Sequence, residues 1–173
     1  MEAAFSYTET DGAITGPLRT PKNSAINAGA GSIHDQATAQ KLGFRGGTVA
    51  GSLHMEQFPP LLIEALGPDW LTTGGMSLYF RYATTDGEPV QASANRPENQ
   101  EGDQQIEIWM DDPDGHRICD GTASIGAPDQ NSTVRKRLES IPEATDLRIL
   151  ANVEVGKTGP MVPTKITQEA LDR

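Results

Sequence analysis

Four strand-like segments follow one another in the second half of the chain, separated only by turn-forming residues. They are 76–83, 89–95, 105–111 and 117–125. Asp86-Gly87 and Pro113-Asp114-Gly115 lie between neighbouring segments and are typical of tight turns. Connections this short join antiparallel strands, because a parallel crossover needs about a dozen residues or more. The pattern therefore predicts an antiparallel meander.

One longer helical segment precedes the meander, from about Ser52 to Leu66. Its apolar residues recur at helical spacing and form one stripe: Phe58, Leu61, Leu62, Ala65 and Leu66. Pro59-Pro60 predicts a kink or restart because proline lacks a backbone donor, and Gly67-Pro68 ends the helix. One helix packed on one antiparallel sheet is an α+β architecture. The sheet covers one side of the helix, so the remaining apolar surface predicts a dimer whose sheets join edge to edge.

A second, shorter helix is predicted upstream, over Asp35–Leu42. Asp35 can cap its first turn, and Gly43 can adopt the left-handed conformation that ends it. Phe44 is then expected to anchor the core. A glycine-rich stretch from Gly46 to Gly51 leads into the longer helix, and it is not a phosphate-binding loop because no Gly-Lys-Ser/Thr follows it.

The composition restricts the partners. The 173 residues suit one domain, and the net charge of −10 disfavours binding to a nucleic-acid backbone or an anionic membrane surface. The single cysteine, Cys119, excludes an internal disulfide and is expected to be a small core residue. The first residues lack the basic start and apolar core of a signal peptide, and no stretch approaches the roughly 20 apolar residues of a membrane span. A cytoplasmic protein is expected.

The run from residue 31 to 58, GSIHDQATAQKLGFRGGTVAGSLHMEQF, resembles a segment of MaoC-like hydratases that carries a histidine, an acidic residue and a glycine turn into the central helix. Asn23-Ser24-Ala25 upstream and the CDGTASI strand downstream fit the same family, so the resemblance spans about residues 20–126. It implies a hot-dog fold, which is an antiparallel sheet wrapped around one central helix, in a dimeric protein. The hot-dog domain is then expected at 1–130, with 131–173 as a carboxy-terminal extension.

Active members of this family hydrate trans-enoyl-CoA or run the reverse dehydration, which is a lyase reaction. The resemblance implies that His34 is the acid/base group. It also implies that the backbone N–H groups of Gly51 and Ser52 bind the thioester oxygen, where a fixed dipole stabilises developing charge. His54 is expected at the rim of this substrate-binding site.

The catalytic aspartate of the family is expected five residues before the histidine, and this chain has Gly29 there. Asn27 is the nearest polar residue. It could orient water or substrate, but an amide does not take up a proton near neutral pH and so cannot act as a general base.

Glu56 offers a carboxylate from another position. Residues 51–56, GSLHME, reproduce the Gly-x-Leu-x-x-Glu spacing of hot-dog acyl-carrier-protein dehydratases, and some hot-dog thioesterases also place an acid on this helix. On a continuous helix, however, Glu56 faces away from the apolar stripe. Three functions stay open: an acyl-thioester hydratase or dehydratase, a thioesterase that uses Glu56, and a non-catalytic acyl-binding or assembly subunit. In each case the expected partner is an acyl thioester of CoA or a carrier protein.

No metal ion or other cofactor is predicted. His34, His54 and Glu56 follow no known ligand pattern, and a hairpin explains the acidic residues at 111–114 without a calcium site. The tail from residue 147 to 173 resembles the lead-in that precedes many MaoC-like domains. Either this tail wraps the domain, or the chain corresponds to the first half of a double hot-dog protein.

Overall fold

The computed structural model describes residues 6–27, 29, 31–99, 101–126, 131–143, 145, 153–161, 163, 165 and 167–168. Residues 146–152, which include the start of the predicted tail segment, lie outside the described residues. The chain divides into two compact units, Met1–Ser140 and Ile141–Arg173. No helix in the described part is long and apolar enough to cross a membrane.

The helices and strands whose bounds the structure describes lie in the first unit. In chain order they are β1 (Thr8–Thr10), β2 (Ala13–Thr15), α1 (Gln36–Lys41), α2 (Gly51–Met55), α3 (Pro59–Leu66), α4 (Trp70–Thr73), β3 (Gly75–Phe80), β4 (Gln91–Asn95), β5 (Gln104–Asp111), β6 (Arg117–Ile125) and α5 (Thr133–Glu139). The α+β architecture predicted from the sequence is confirmed.

The strands form one antiparallel sheet in the order β1-β2-β4-β5-β6-β3. The predicted meander is present for β4, β5 and β6, and β5 and β6 are joined by the predicted turn at Pro113-Asp114-Gly115. For the first of the four strands the prediction is wrong, because β3 pairs with β6 at the end of the sheet and not with β4, so the Asp86-Gly87 turn does not join two paired strands. Strand β3 ends earlier than predicted because the N–H groups of Arg81 and Tyr82 both donate to the carbonyl of Ile118, which breaks the ladder. The pairing of β1 with β2 at the other end of the sheet was not predicted from the sequence.

The longer predicted helix is two helices. Helix α2 ends at Met55 and α3 begins at Pro59, so the restart predicted from the two prolines is confirmed. Helix α3 packs against the sheet, and its apolar stripe is buried at Phe58, Leu61 and Leu62. Full burial of such a side chain contributes about 1.5–3 kcal/mol, so this stripe is a principal source of core stability.

Two expectations about the core are wrong. Phe44 was expected to be a core anchor, yet it is 37% exposed. The chain after α3 was expected to enter the meander directly, but residues 70–73 form the short helix α4, which buries Trp70. The chain passes so close to the Trp70 ring that an added Cβ at Gly74 would lie 2.2 Å from Cδ1 of Trp70.

Candidate active site

A cleft of about 320 Å³ opens between the loop before α1, the start of α2 and the chain that follows β3. Its walls are mainly apolar, and two histidines, His34 and His54, border it together with Gly51 and Phe80. No carboxylate is among the described residues that line it. The structure therefore brings together three of the predicted site residues in one cleft.

The hydrogen bond of the His34 ring fixes its tautomer. Nδ1 lies 2.7 Å from the carbonyl oxygen of Thr48, and a carbonyl can only accept, so Nδ1 carries the proton. The neutral ring then has its lone pair on Nε2, at the edge of the ring away from Thr48. Since His34 is only half-buried, this ring can serve as a base in the cleft.

A buried asparagine holds the His34 loop, and it was not predicted as a site residue. Asn23 is 5% exposed, and its Nδ2 donates to the carbonyl of His34 over 2.8 Å. Its Oδ1 accepts from the N–H of Ala25, and its own N–H donates to Asp86 Oδ1. The only signal in the sequence was the Asn23-Ser24-Ala25 motif, which carried no assigned role.

Gly47 completes this support because no side chain fits there. An added Cβ would lie 2.4 Å from the carbonyl oxygen of His34 and 3.0 Å from Asn23 Nδ2. The N–H of Gly47 donates to Gln36 Oε1 over 2.9 Å. The glycine thus lets the strand-like segment before α2 lie directly against the histidine loop.

Helix α2 begins at the cleft. Gly51 packs against Phe80 so closely that an added Cβ would lie 3.0 Å from Phe80 Cζ. The first N–H groups of a helix have no acceptor within the helix, so the amide of Gly51 is free in the way the predicted oxyanion role requires. Ser52 follows in the same turn, but its side chain is exposed and does not line the cleft.

His54 is buried and does not lie at the rim, where it was expected. It is 2% exposed, its Nε2 lies 2.8 Å from Thr84 Oγ1, and its Nδ1 has no hydrogen-bond partner in the structure. Burial lowers the pKa of His54 below its ordinary value. A neutral imidazole therefore lies in the wall of the cleft beside Thr84.

Glu56 and Asn27 do not join His34. Glu56 is exposed and lines a separate cavity of about 540 Å³ with Arg19 and Lys22. The reason is helical geometry: residues two apart on a helix point to nearly opposite sides, and His54 takes the side that faces the cleft. Asn27 is exposed and does not line the cleft either.

The acidic residue next to His34 is a helix cap. Asp35 Oδ1 accepts the N–H of Thr38 over 2.9 Å, and this hydrogen bond lowers the pKa of Asp35. The predicted cap is confirmed, and Gly43 ends α1 with φ +86°. Asp35 therefore stabilises the helix that follows the histidine and is engaged away from the cleft.

Two other reactive groups have structural explanations. Cys119 is fully buried in β6, and burial raises the pKa of its thiol to about 12, so it is a core residue as predicted. Asp112, Asp114 and His116 cluster in the β5–β6 turn. There His116 Nδ1 lies 2.8 Å from Asp112 Oδ2, and the His116 N–H donates to Asp112 Oδ1, so these contacts close the hairpin.

No protein-family model and no curated protein sequence matches the chain. Solved structures do. The (R)-hydratase from A. caviae involved in PHA biosynthesis is 19% identical, with a TM-score of 0.52 over 70% of this chain and 98% of that chain. R-hydratase PhaJ1 from Pseudomonas aeruginosa is 16% identical, with a TM-score of 0.51 over 91% and 94%. Protein af1124 from Archaeoglobus fulgidus is 16% identical, with a TM-score of 0.52 over 72% and 82%. These likenesses show the fold, and the predicted hot-dog fold is confirmed.

Proposed function

We propose that this hot-dog chain is a MaoC-like protein that binds an acyl thioester and hydrates its trans-enoyl group, or runs the reverse dehydration. The observation that carries the proposal is the fixed tautomer of His34. The Thr48 carbonyl holds the proton on Nδ1 and leaves Nε2 as the acceptor, in an apolar cleft that also contains a helix start. Imidazole is the side chain suited to take up and release a proton near neutral pH.

In the hydration direction, His34 Nε2 removes a proton from water, and the water oxygen forms a bond to Cβ of the enoyl group. The π electrons move to the thioester oxygen, where the amide of Gly51 stabilises the developing negative charge. His34 then returns the proton to Cα, and the carbonyl re-forms. Water has been added across the double bond, and no cofactor is consumed.

His54 gives the cleft a second polar group in place of a carboxylate. A buried N–H without an acceptor is rarer than an unpaired lone pair, which favours the tautomer whose Nε2–H donates to Thr84 Oγ1. The Thr84 hydroxyl is then free to donate towards the cleft, which it also borders. In the proposed reaction it orients the substrate or the attacking water.

The proposed assembly is a homodimer. Strand β3 is an end of the sheet, and in the described part it pairs only with β6. Phe80 on this strand is 39% exposed. Pairing of two such edges satisfies backbone groups and covers apolar surface at the same time.

The test is hydration of crotonyl-CoA, followed as loss of the enoyl-thioester absorbance. His34→Gln should lower kcat/KM by at least about 100-fold, which is the usual contribution of a general base. Glu56→Gln is the matched control and should keep the wild-type rate, because Glu56 lies outside the cleft. A His34→Gln variant with the wild-type rate would contradict the proposal.

One observation favours a second candidate, an acyl-binding subunit without turnover. Gly29 has no side chain at the position of the family's carboxylate, and no carboxylate lines the described cleft. In that case calorimetry should detect binding of crotonyl-CoA, and His34→Gln should change the Kd of crotonyl-CoA. No hydration should be detected with the wild-type protein. The thioesterase alternative has no such support, because Glu56 does not border the cleft.

A further inference from the structure

Helix α5 carries a concentrated positive charge on a chain whose net charge is −10. Arg135, Lys136 and Arg137 are consecutive and exposed. Within the described residues, none of the three forms a salt bridge with a carboxylate. Three consecutive cations on a chain of negative net charge form a local site of positive potential.

Side-chain contacts connect this helix to the cleft. The Arg137 guanidinium lies 3.4 Å from the centroid of the Tyr79 ring on β3, and the Arg81 guanidinium lies 5.3 Å from the same centroid. Arg81 itself borders the cleft. The cationic surface therefore continues from α5 across Tyr79 to the mouth of the proposed acyl site.

The same helix exposes two aliphatic side chains beside its cations. Val134 is 48% exposed and Leu138 is 56% exposed. They are four residues apart and so lie on one face of the helix. The phosphates of CoA would bind the cations but would make no favourable contact with two aliphatic side chains. A protein interface, in contrast, combines an apolar centre with a polar rim.

The net negative charge of the chain also influences where an acidic partner binds. An acidic partner is repelled by most of this chain, but at physiological salt such repulsion is screened beyond about 8 Å. Direct contacts with α5 act within that distance. Among the described residues, the salt bridge of Arg81 with Asp120, at 2.8 Å, partly neutralises the surface. An acidic partner is thus favoured at α5 and disfavoured elsewhere.

We propose that α5 and Tyr79 of β3 form a docking surface for a small acidic carrier protein that presents the acyl thioester to the cleft. The proposal rests on the proposed thioester function and adds the carrier to it. The carrier's acidic side chains contact Arg135 and Lys136, its apolar residues cover Val134 and Leu138, and the acyl arm passes Arg81 into the cleft.

The test compares two double variants with the same change in charge. Arg135→Glu with Lys136→Glu reverses the docking surface, and Arg19→Glu with Lys41→Glu is the control at exposed positions away from it. Binding is measured by fluorescence anisotropy with a labelled acidic acyl carrier protein bearing its phosphopantetheine arm. Turnover is measured separately with crotonyl-CoA and with the crotonyl-loaded carrier protein.

The docking variant should weaken carrier-protein binding by roughly tenfold and raise KM for the loaded carrier, because reversed charges at an interface are repulsive. Its KM for crotonyl-CoA should not change, and the control should match wild type in each assay. Unchanged carrier binding in the docking variant would overturn the proposal. An equal rise in KM for crotonyl-CoA would also overturn it, since α5 would then be a phosphate subsite. Carrier binding without any turnover would instead contradict the proposed reaction and leave the docking surface standing.

Discussion

At the scale of single residues, the position of His34 depends on a buried amide. Asn23 uses its side-chain N–H on the His34 carbonyl and its side-chain oxygen on Ala25, while its backbone N–H is bound by Asp86. Replacing this side chain leaves buried hydrogen-bonding groups without partners, which lowers the stability of the fold. We infer that Asn23 positions His34 and does not touch the substrate.

Asn23→Ala should lower the free energy of unfolding by about 1–3 kcal/mol, because the buried carbonyl of His34 loses its donor. It should also lower kcat for crotonyl-CoA hydration more than it raises KM. Denaturant unfolding and steady-state kinetics measure the two effects. Asn27→Ala is the matched control and should change the unfolding free energy by less than about 0.5 kcal/mol, since Asn27 is exposed.

His54 makes stability depend on pH in a defined direction. Burial lowers its pKa in the folded state, so below about pH 6.5 the unfolded chain takes up a proton that the folded chain refuses. The contribution of neutral His54 is therefore fully present above the unfolded pKa and is lost as the pH falls towards the folded pKa. His54→Gln, which cannot titrate, should show a smaller loss of unfolding free energy between about pH 7.5 and about pH 5. Equal losses in the two proteins would refute this.

At the scale of elements, the neighbouring glycines Gly74 and Gly75 differ in how closely other atoms pack around them. An added Cβ at Gly74 would lie 2.2 Å from Trp70 Cδ1 and 2.3 Å from the Trp70 carbonyl oxygen. At Gly75 the nearest atom within reach is Ser124 Oγ at 3.8 Å. The turn between α4 and β3 therefore needs glycine at the first position only.

Gly74→Ala should lower the free energy of unfolding by about 1–3 kcal/mol, because the backbone and the Trp70 ring must both move. Gly75→Ala should leave it unchanged or raise it slightly, since alanine restricts the unfolded chain. Urea unfolding monitored by tryptophan fluorescence would compare the two variants. A Gly75→Ala variant as unstable as Gly74→Ala would show that close packing is not the cause.

The sequence predicted those elements whose signals are local. The strands β4, β5 and β6 have clear turn residues between them, and the Pro59-Pro60 break follows from the missing donors of proline. The short elements β1, β2, α4 and α5 depend on contacts made after folding, so local patterns could not fix them.

The candidate site was predictable only in part, for a related reason. His34 and Gly51 were found through motif spacing, and the structure places both at one cleft. Glu56 matched a motif as well, but spacing alone does not reveal which side of a short helix faces a cavity. Asn23 carries no recognisable chemistry of its own, so its role became visible only through its contacts.

At the scale of the whole molecule, the described core is complete within the first unit. Its buried apolar residues run from Ile14 to Ala123. The unit boundary after Ser140 lies beyond all of them and keeps α5 with the sheet it packs on. Among the described residues, the hydrophobic core cluster contains none from 141–173.

A chain that ends at Ser140 should fold and keep its melting temperature within a few degrees of the full chain, because every described residue of the core cluster is retained. Its mass by light scattering should be twice the chain mass, as the proposed pairing of β3 edges requires. Thermal unfolding and light scattering on the same sample measure both. Loss of cooperative unfolding would contradict the independence of the unit, and a monomer would contradict the dimer.

The break between α2 and α3 has a consequence for how such a protein changes over evolutionary time. The buried apolar cluster includes residues of α3 but none of α2, although α2 carries Gly51 and His54 at the cleft. Substitutions in α2 therefore remove no side chain of that cluster, although the close packing of Gly51 and the burial of His54 restrict which side chains fit there. Substitutions in α3 remove core contacts directly. A lineage can exchange its reactive groups on the first helix while the second preserves the scaffold.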